Sequence, residues 1–141
     1  MADRLHQGNW LRENESITAR DGRFSLIMQD DANLVLYEMS GGRPVEALWA
    51  SGTNFGFGVA SGVTLQDDGN LVIYGVENPP RALWASGTNS ASAVLILQND
   101  GNLVIYEQGD EELGNALWAT NTGYTPDGFK RVTARPARPA K

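Results

Sequence analysis

The sequence predicts an all-β fold built by internal repetition, and three observations carry that expectation. The stretch Leu65–Tyr74, LQDDGNLVIY, has close copies at Met28–Tyr37 (MQDDANLVLY) and Leu97–Tyr106 (LQNDGNLVIY). Each copy is followed by Ala-Leu-Trp-Ala and a hydroxyl residue, which sets Trp49, Trp84 and Trp118 at spacings of 35 and 34 residues. Apolar residues alternate with period two (Phe24, Leu26, Met28; Val63, Leu65; Leu95, Leu97), turn residues recur about every 8–12 positions, and no stretch has a helical period. Three units of about 35 residues therefore fill the chain between roughly Leu5 and Gly123.

Within a unit the elements follow from turn chemistry. Asp68-Gly69 and Asp100-Gly101 are hairpin signals, because a tight type I′ turn needs positive φ at both central residues. Val63–Gln66 should then pair antiparallel with Asn70–Tyr74, and Val94–Gln98 with Asn102–Tyr106. The first copy has Ala32 where the others have glycine. Alanine in a left-handed conformation costs on the order of 1 kcal/mol, so a slightly different turn is expected there. The tryptophans, flanked by apolar residues and placed symmetrically, are expected in the core, three indoles meeting on one axis. Trp10 lies outside the repeats and is not placed by them.

The alternation also assigns faces. Leu71 and Ile73 share one side of the returning strand with Leu65 opposite, and these face the core. Gln66, Asn70, Val72 and Tyr74 then share the outer side, with Asp68 at the turn beside them. The same holds for Gln29, Asp31, Asn33, Val35 and Tyr37, and for Gln98, Asp100, Asn102, Val104 and Tyr106. Amides and a phenol both donate and accept, and a carboxylate accepts strongly. That set suits hydroxyl-rich ligands such as sugars, with the valine as a small apolar floor. A lone hairpin of this kind is usually turn chemistry, Asp and Asn bonding their own backbone. Here, however, the five positions stay fixed while the turn position drifts between Ala32, Gly69 and Gly101, which favours a repeated binding site.

The triple Gln-x-Asp-x-Asn-x-Val-x-Tyr resembles the signature of the bulb-type (monocot) mannose-binding lectins. The match covers about Leu5 to Gly123, with all fifteen signature positions in place and the Leu-Trp-Ala-Ser/Thr segments after them. The resemblance implies a β-prism (type II) of three four-stranded antiparallel sheets with pseudo-threefold symmetry. It implies one α-mannose per sheet, bound without calcium or any other cofactor. By that likeness Gln66 contacts the 3-hydroxyl, Asp68 and Asn70 the axial 2-hydroxyl, and Tyr74 the 4-hydroxyl, while Val72 packs on ring carbons. The corresponding residues of the other copies act alike. Mannose-containing glycans are the expected partners, and a homodimer that exchanges the segment after Trp118 is the expected assembly. The chain departs from the plant pattern by lacking a disulfide, by a basic tail, and by a longer first inter-motif segment. That segment includes Asn54-Phe55-Gly56-Phe57-Gly58, a loop expected either to extend a neighbouring site or simply to pack.

Composition narrows the alternatives. A chain of 141 residues, 41% hydrophobic and 20% charged, fits one soluble domain. With no cysteine it has neither a disulfide framework nor a thiolate metal site, which fits a reducing compartment. The net charge of −6 divides unevenly: residues 1–124 hold sixteen acids against six arginines, a net of −10, and residues 125–141 carry +4. The acidic body argues against nucleic acid as a partner. The Pro- and Arg-rich tail is expected to be a flexible arm, giving a 1–124 lectin domain and a 125–141 tail. No apolar run reaches the roughly 18 residues of a membrane span, and the polar N-terminus does not read as a signal peptide. Localisation is therefore expected to be cytoplasmic or by leaderless or processed secretion.

Enzymatic readings fail on inventory. His6 is the one histidine, so neither a triad nor a zinc site can be assembled. Adjacent acids such as Asp67-Asp68 do not face each other across a glycosidic bond. Asp-x-Asn lacks the remaining ligands of a calcium loop, and Gly56-x-Gly58 opens no helix. Asn14-Glu15-Ser16 is a glycosylation sequon only on a eukaryotic secretory route. The competing class is a structural or protein-interaction module that keeps the prism for its shape.

Overall fold

Because apolar and polar residues alternate, each repeat presents one wet and one dry face, and three such faces close on each other. A computed structural model describes residues 2–54 and 60–124. Most of the Asn54–Gly58 loop and the basic tail lie outside these residues. The strands are β1 (Arg4–His6), β2 (Trp10–Leu11), β3 (Ser16–Thr18), β4 (Phe24–Met28), β5 (Leu34–Ser40) and β6 (Arg43–Ala50), followed by β7 (Ala60–Leu65), β8 (Leu71–Gly75), β9 (Ala82–Ala85), β10 (Ala93–Leu97), β11 (Leu103–Gln108) and β12 (Leu113–Ala119). They form three four-stranded sheets, ordered β3-β4-β5-β6, β2-β7-β8-β9 and β1-β10-β11-β12, with antiparallel neighbours throughout. The β-prism expectation holds.

Each repeat supplies only three strands of its sheet. The fourth comes from the first eighteen residues, which cross all three sheets in reverse order: β1 joins the last repeat, β2 the middle one and β3 the first. The sequence mark of this path is Leu5, Leu11 and Ile17, apolar residues six apart and 4%, 5% and 2% exposed. One turn and one inward side chain per sheet fit that step.

The registers make the symmetry explicit. The inner rows are Ile17-Leu26-Leu36-Trp49, Leu11-Val63-Ile73-Trp84 and Leu5-Leu95-Ile105-Trp118. At the end of each row the chain bulges: Tyr37 pairs with Ala47, Tyr74 with Ala82 and Tyr106 with Ala116, so Leu48, Leu83 and Leu117 have no opposite number. The extra residue lets leucine and tryptophan, which strict alternation would separate, both pack against the core. On the axis the three indoles meet edge to face, with centroids 5.5–5.6 Å apart and planes at 71–77°. Such pairs add about 0.5–1.5 kcal/mol each beyond the area they bury.

Two turn expectations are corrected. Asp68 and Asp100 do not have positive φ; Gly69 and Gly101 do, at 84° and 91°. The loops are three-residue turns, closed by Gln66 N–H to Asn70 O and by Gly69 N–H to Gln66 O, each at 2.9 Å. The physical reason is that the Asp68 carboxylate accepts the Asn70 N–H at 3.0 Å, and this side-chain turn replaces the type I′ geometry. Ala32, in turn, does not change the turn: it takes φ 76° and keeps both closing bonds, Gln29 N–H to Asn33 O at 2.9 Å and Ala32 N–H to Gln29 O at 3.2 Å. Its methyl is buried in the core cluster, which offsets the strain.

Candidate functional site

Each sheet carries its motif on the outer side of its central hairpin. The aspartates are exposed, the glutamines, asparagines and tyrosines half-buried, and the valines almost covered, with Val35, Val72 and Val104 4%, 3% and 2% exposed. The valines thus lie beneath the polar groups as the floor of the cluster.

The hydrogen bonds sort fold-serving atoms from outward-facing ones. In every copy the aspartate Oδ1 accepts the backbone N–H two residues on, at 2.9–3.0 Å. In the first two copies the glutamine Nε2 donates to the same carboxylate, at 3.1 and 3.2 Å in copy one and 3.2 and 3.4 Å in copy two. There Tyr37 and Tyr74 donate to the glutamine Oε1. In the third copy the amide is turned, and Gln98 Nε2 donates to the Tyr106 oxygen. Glutamine thus fixes both the tyrosine hydroxyl and, in two copies, the aspartate.

Asparagine is anchored from behind. Asn70 Oδ1 accepts from Gly87 N at 2.8 Å and Ser86 Oγ at 3.1 Å. Asn33 Oδ1 receives Ser51 Oγ, Gly52 N and Thr53 N, and Asn102 Oδ1 receives Thr120 Oγ1, Asn121 N and Thr122 N. Among the described residues no acceptor takes the Nδ2 hydrogens, so each asparagine shows its donor to the outside. Each site therefore sets a carboxylate acceptor beside an amide donor, over a valine, with a phenol at the far side.

The anchoring segments Ser51-Gly52-Thr53, Ser86-Gly87-Thr88 and Thr120-Asn121-Thr122 are positioning residues that the signature does not contain. Their threonines donate to Ala32 O, Gly69 O and Gly101 O at 2.6–2.7 Å, tying the turn to the last strand. Their central residues share a left-handed backbone, with φ 73°, 75° and 62°. The signal was present: hydroxyl-Gly/Asn-Thr recurs after each Ala-Leu-Trp-Ala, and glycine and asparagine are the residues that tolerate that conformation.

The fold recurs in solved proteins. A monomeric monocot mannose-binding lectin from Gastrodia elata superposes with a TM-score of 0.69 at 42% identity, covering 86% of this chain and 99% of the other. The chain belongs to the bulb-type mannose-binding lectin family. The snowdrop (Galanthus nivalis) mannose-specific agglutinin, solved with methyl-α-D-mannoside, aligns over 76% of this lectin and 91% of its own chain, with a TM-score of 0.63 and 37% identity. A mannose-specific lectin of Narcissus tazetta is 38% identical over 74 residues, 52% of this chain. The matched stretch spans about half the length of that relative, 48%. No family model matches the chain. These relatives are lectins, not enzymes.

Proposed function

We propose that this family member binds α-D-mannose and mannose-rich glycans without calcium, through up to three sites per chain. The first site is Gln29, Asp31, Asn33, Val35 and Tyr37. The second is Gln66, Asp68, Asn70, Val72 and Tyr74, and the third Gln98, Asp100, Asn102, Val104 and Tyr106. The observation that carries this reading is the pairing of a carboxylate acceptor with an outward amide donor in all three sheets. One hydroxyl can donate to the aspartate and accept from the asparagine, and the charge-assisted bond to the carboxylate does not need a metal. Methyl-α-D-mannoside bound to the snowdrop relative supplies the sugar class. In this reading residues 1–124 are the binding domain, and the basic 125–141 segment takes no part in the sites.

Shallow single sites of this kind bind near ~1 mM, about 4 kcal/mol, so useful affinity comes from several sites on one surface. A homodimer would double the number. The segment after Trp118 is paired within its own chain, Thr120 N–H to Leu103 O at 2.9 Å and Tyr124 N–H to Asp100 O at 2.8 Å, so an exchange would remake these bonds between protomers. Retention on mannose-agarose, elution by methyl α-mannoside and no elution by EDTA are the expected results. Flow-through would favour an interaction module instead.

A further inference from the structure

The three hairpins carry the same signature, yet the edge strands beside them differ. The outer row that crosses the floor valine ends on Ser16 in the first sheet (Ser16-Ile27-Val35), Trp10 in the second (Trp10-Thr64-Val72) and Arg4 in the third (Arg4-Ile96-Val104). Two residues further along the chain stand Thr18, Arg12 and His6. The repeats do not dictate these positions, because the edge strands all come from the unrepeated N-terminal segment.

Trp10 is the residue of this set with a chemistry for sugars. Its indole is half-buried on the outer face, with its centroid 6.2 Å from that of Tyr74 and its plane tilted 42°. The Arg12 guanidinium lies 3.8 Å from the indole centroid and holds Ser61 through Nη1, 3.1 Å to the carbonyl oxygen and 3.0 Å to Oγ. Room for the ring comes from Gly62, which pairs with Tyr74: a Cβ there would sit 2.7 Å from Leu11 O and 3.2 Å from the indole itself. The sister hairpins have Ser25 and Val94 opposite their tyrosines. Thr64, beside Trp10 on the sheet, gives its hydroxyl to Asn9 O at 2.8 Å and exposes only 4% of itself. Among the described residues neither the Trp10 N–H nor the other guanidinium hydrogens of Arg12 meet an acceptor. An unpaired indole N–H and a fork of unpaired guanidinium donors, the guanidinium resting on the indole beside the phenol of a hydroxyl-binding cluster, offer directed hydrogen bonds from a held platform.

We propose that Trp10 and Arg12 form a second hexose subsite beside the Tyr74 edge of the β7–β8 site, making it the one oligosaccharide-selective site of the three. The inference rests on mannose binding as proposed above. Arg12, held flat on the indole, and the Trp10 N–H take the second ring's hydroxyls, so a linked second sugar gains at this sheet and not at the others. The rigid platform adds little ordering cost on binding.

The test follows the backbone amides of residues 32, 69 and 101, one reporter per hairpin, by ¹H–¹⁵N NMR. Methyl α-mannoside and the α1,2-, α1,3- and α1,6-linked dimannosides are titrated separately. The expected result is that at least one dimannoside exceeds the monosaccharide about 3- to 10-fold at the residue 69 reporter and by less than twofold at the other two, with the Trp10 indole N–H shifting alongside. In Trp10→Ser, which installs the first sheet's residue, the dimannoside-to-monosaccharide ratio at residue 69 falls to that of the other reporters. Equal ratios at all three sites of the native chain overturn the subsite, whether or not the variant folds. A ratio untouched by Trp10→Ser in a folded variant overturns it too. If the monosaccharide moves no reporter, the mannose reading itself fails, and the subsite with it.

Discussion

Asn70 separates scaffold from site within one side chain, and Asn70→Asp exploits that division. The replacement keeps an oxygen where Oδ1 accepts from Gly87 N at 2.8 Å and Ser86 Oγ at 3.1 Å, so the tie to the last strand survives. What changes is Nδ2, the outward donor, which becomes a second carboxylate oxygen near Asp68. Two exposed carboxylates at that range repel by about 1 kcal/mol in a watery environment. Stability should therefore fall by about 1 kcal/mol, a few degrees in Tm for a domain of this size.

Binding should change far more. The ligand hydroxyl loses a donor and meets an acceptor, which removes about 2 kcal/mol or roughly 30-fold in affinity. A site near ~1 mM becomes one near ~30 mM, filled to only about 25% in a titration to about 10 mM that brings an intact site to about 90% occupancy. NMR titration with methyl α-mannoside should then show the residue 32 and 101 reporters moving as in the native chain and residue 69 moving along a shallow, unsaturated curve to only about a quarter of its full shift. If residue 69 titrates at its native midpoint in a folded Asn70→Asp variant, the assignment of Nδ2 as the sugar-facing donor is wrong.

Four other outcomes follow from the same geometry. Asp68→Asn should lower mannose stoichiometry from three sites to two and leave the fold intact, read by titration and by thermal melting. Gly69→Ala places a Cβ 2.5 Å from Ser90 N and 2.7 Å from Ser90 O, backbone atoms that cannot step aside, at a residue whose φ is already +84°. It should cost about 2–3 kcal/mol in urea unfolding, whereas Ala32→Gly, trading a buried methyl against relieved strain, should stay within about 1 kcal/mol. Trp118→Ala empties the position of a 3%-exposed indole and should cost about 3–5 kcal/mol in the same assay. Hydrogen bonds from Arg4, and then from Arg20, hold the Asp3 carboxyl below its ordinary 3.8. A depressed carboxyl stabilises the fold above its unfolded value, so the stability gap between native and Asp3→Asn chains should be flat from pH 7 to 5 and close as pH falls below about 4.

Much of this was legible in the sequence because period-two alternation ties fold and site to the same strand. Once Leu71 and Ile73 face inward, Asn70, Val72 and Tyr74 must face outward, and the structure puts Leu71 and Ile73 at 0% exposure. Three features escaped that logic, each for a local reason. Asp-Gly signals a type I′ turn through the backbone alone, whereas the Asp68 side chain makes the turn through the Asn70 N–H. Ala32 keeps its turn because the burial of its methyl, invisible to local propensity, offsets the left-handed strain. The Ser-Gly-Thr anchors lie outside the motif because they act through Asn70 Oδ1 from about sixteen residues away, just past the end of the adjacent strand.

The origin of the edge strands explains why one chain can hold three equal motifs and unequal sites. Threefold packing constrains what points inward: Leu5, Leu11 and Ile17 must each meet an inner row ending on a tryptophan, and all are apolar. It places no such demand on the outer residue one step earlier, where Arg4, Trp10 and Ser16 differ in charge, size and polarity. Arg4 is held by Asp3 at 2.8 Å, Trp10 packs under Arg12 beside Tyr74, and Ser16 stands exposed. Substitutions at these three positions leave the inner rows untouched, so each outer-face residue is free to vary one sheet at a time. Exchanging Trp10 with Ser16 should therefore carry any oligosaccharide preference from the residue 69 reporter toward residue 32, with little change in unfolding free energy. The transfer would be partial, because Ser25 occupies in the first sheet the place that Gly62 leaves open in the second.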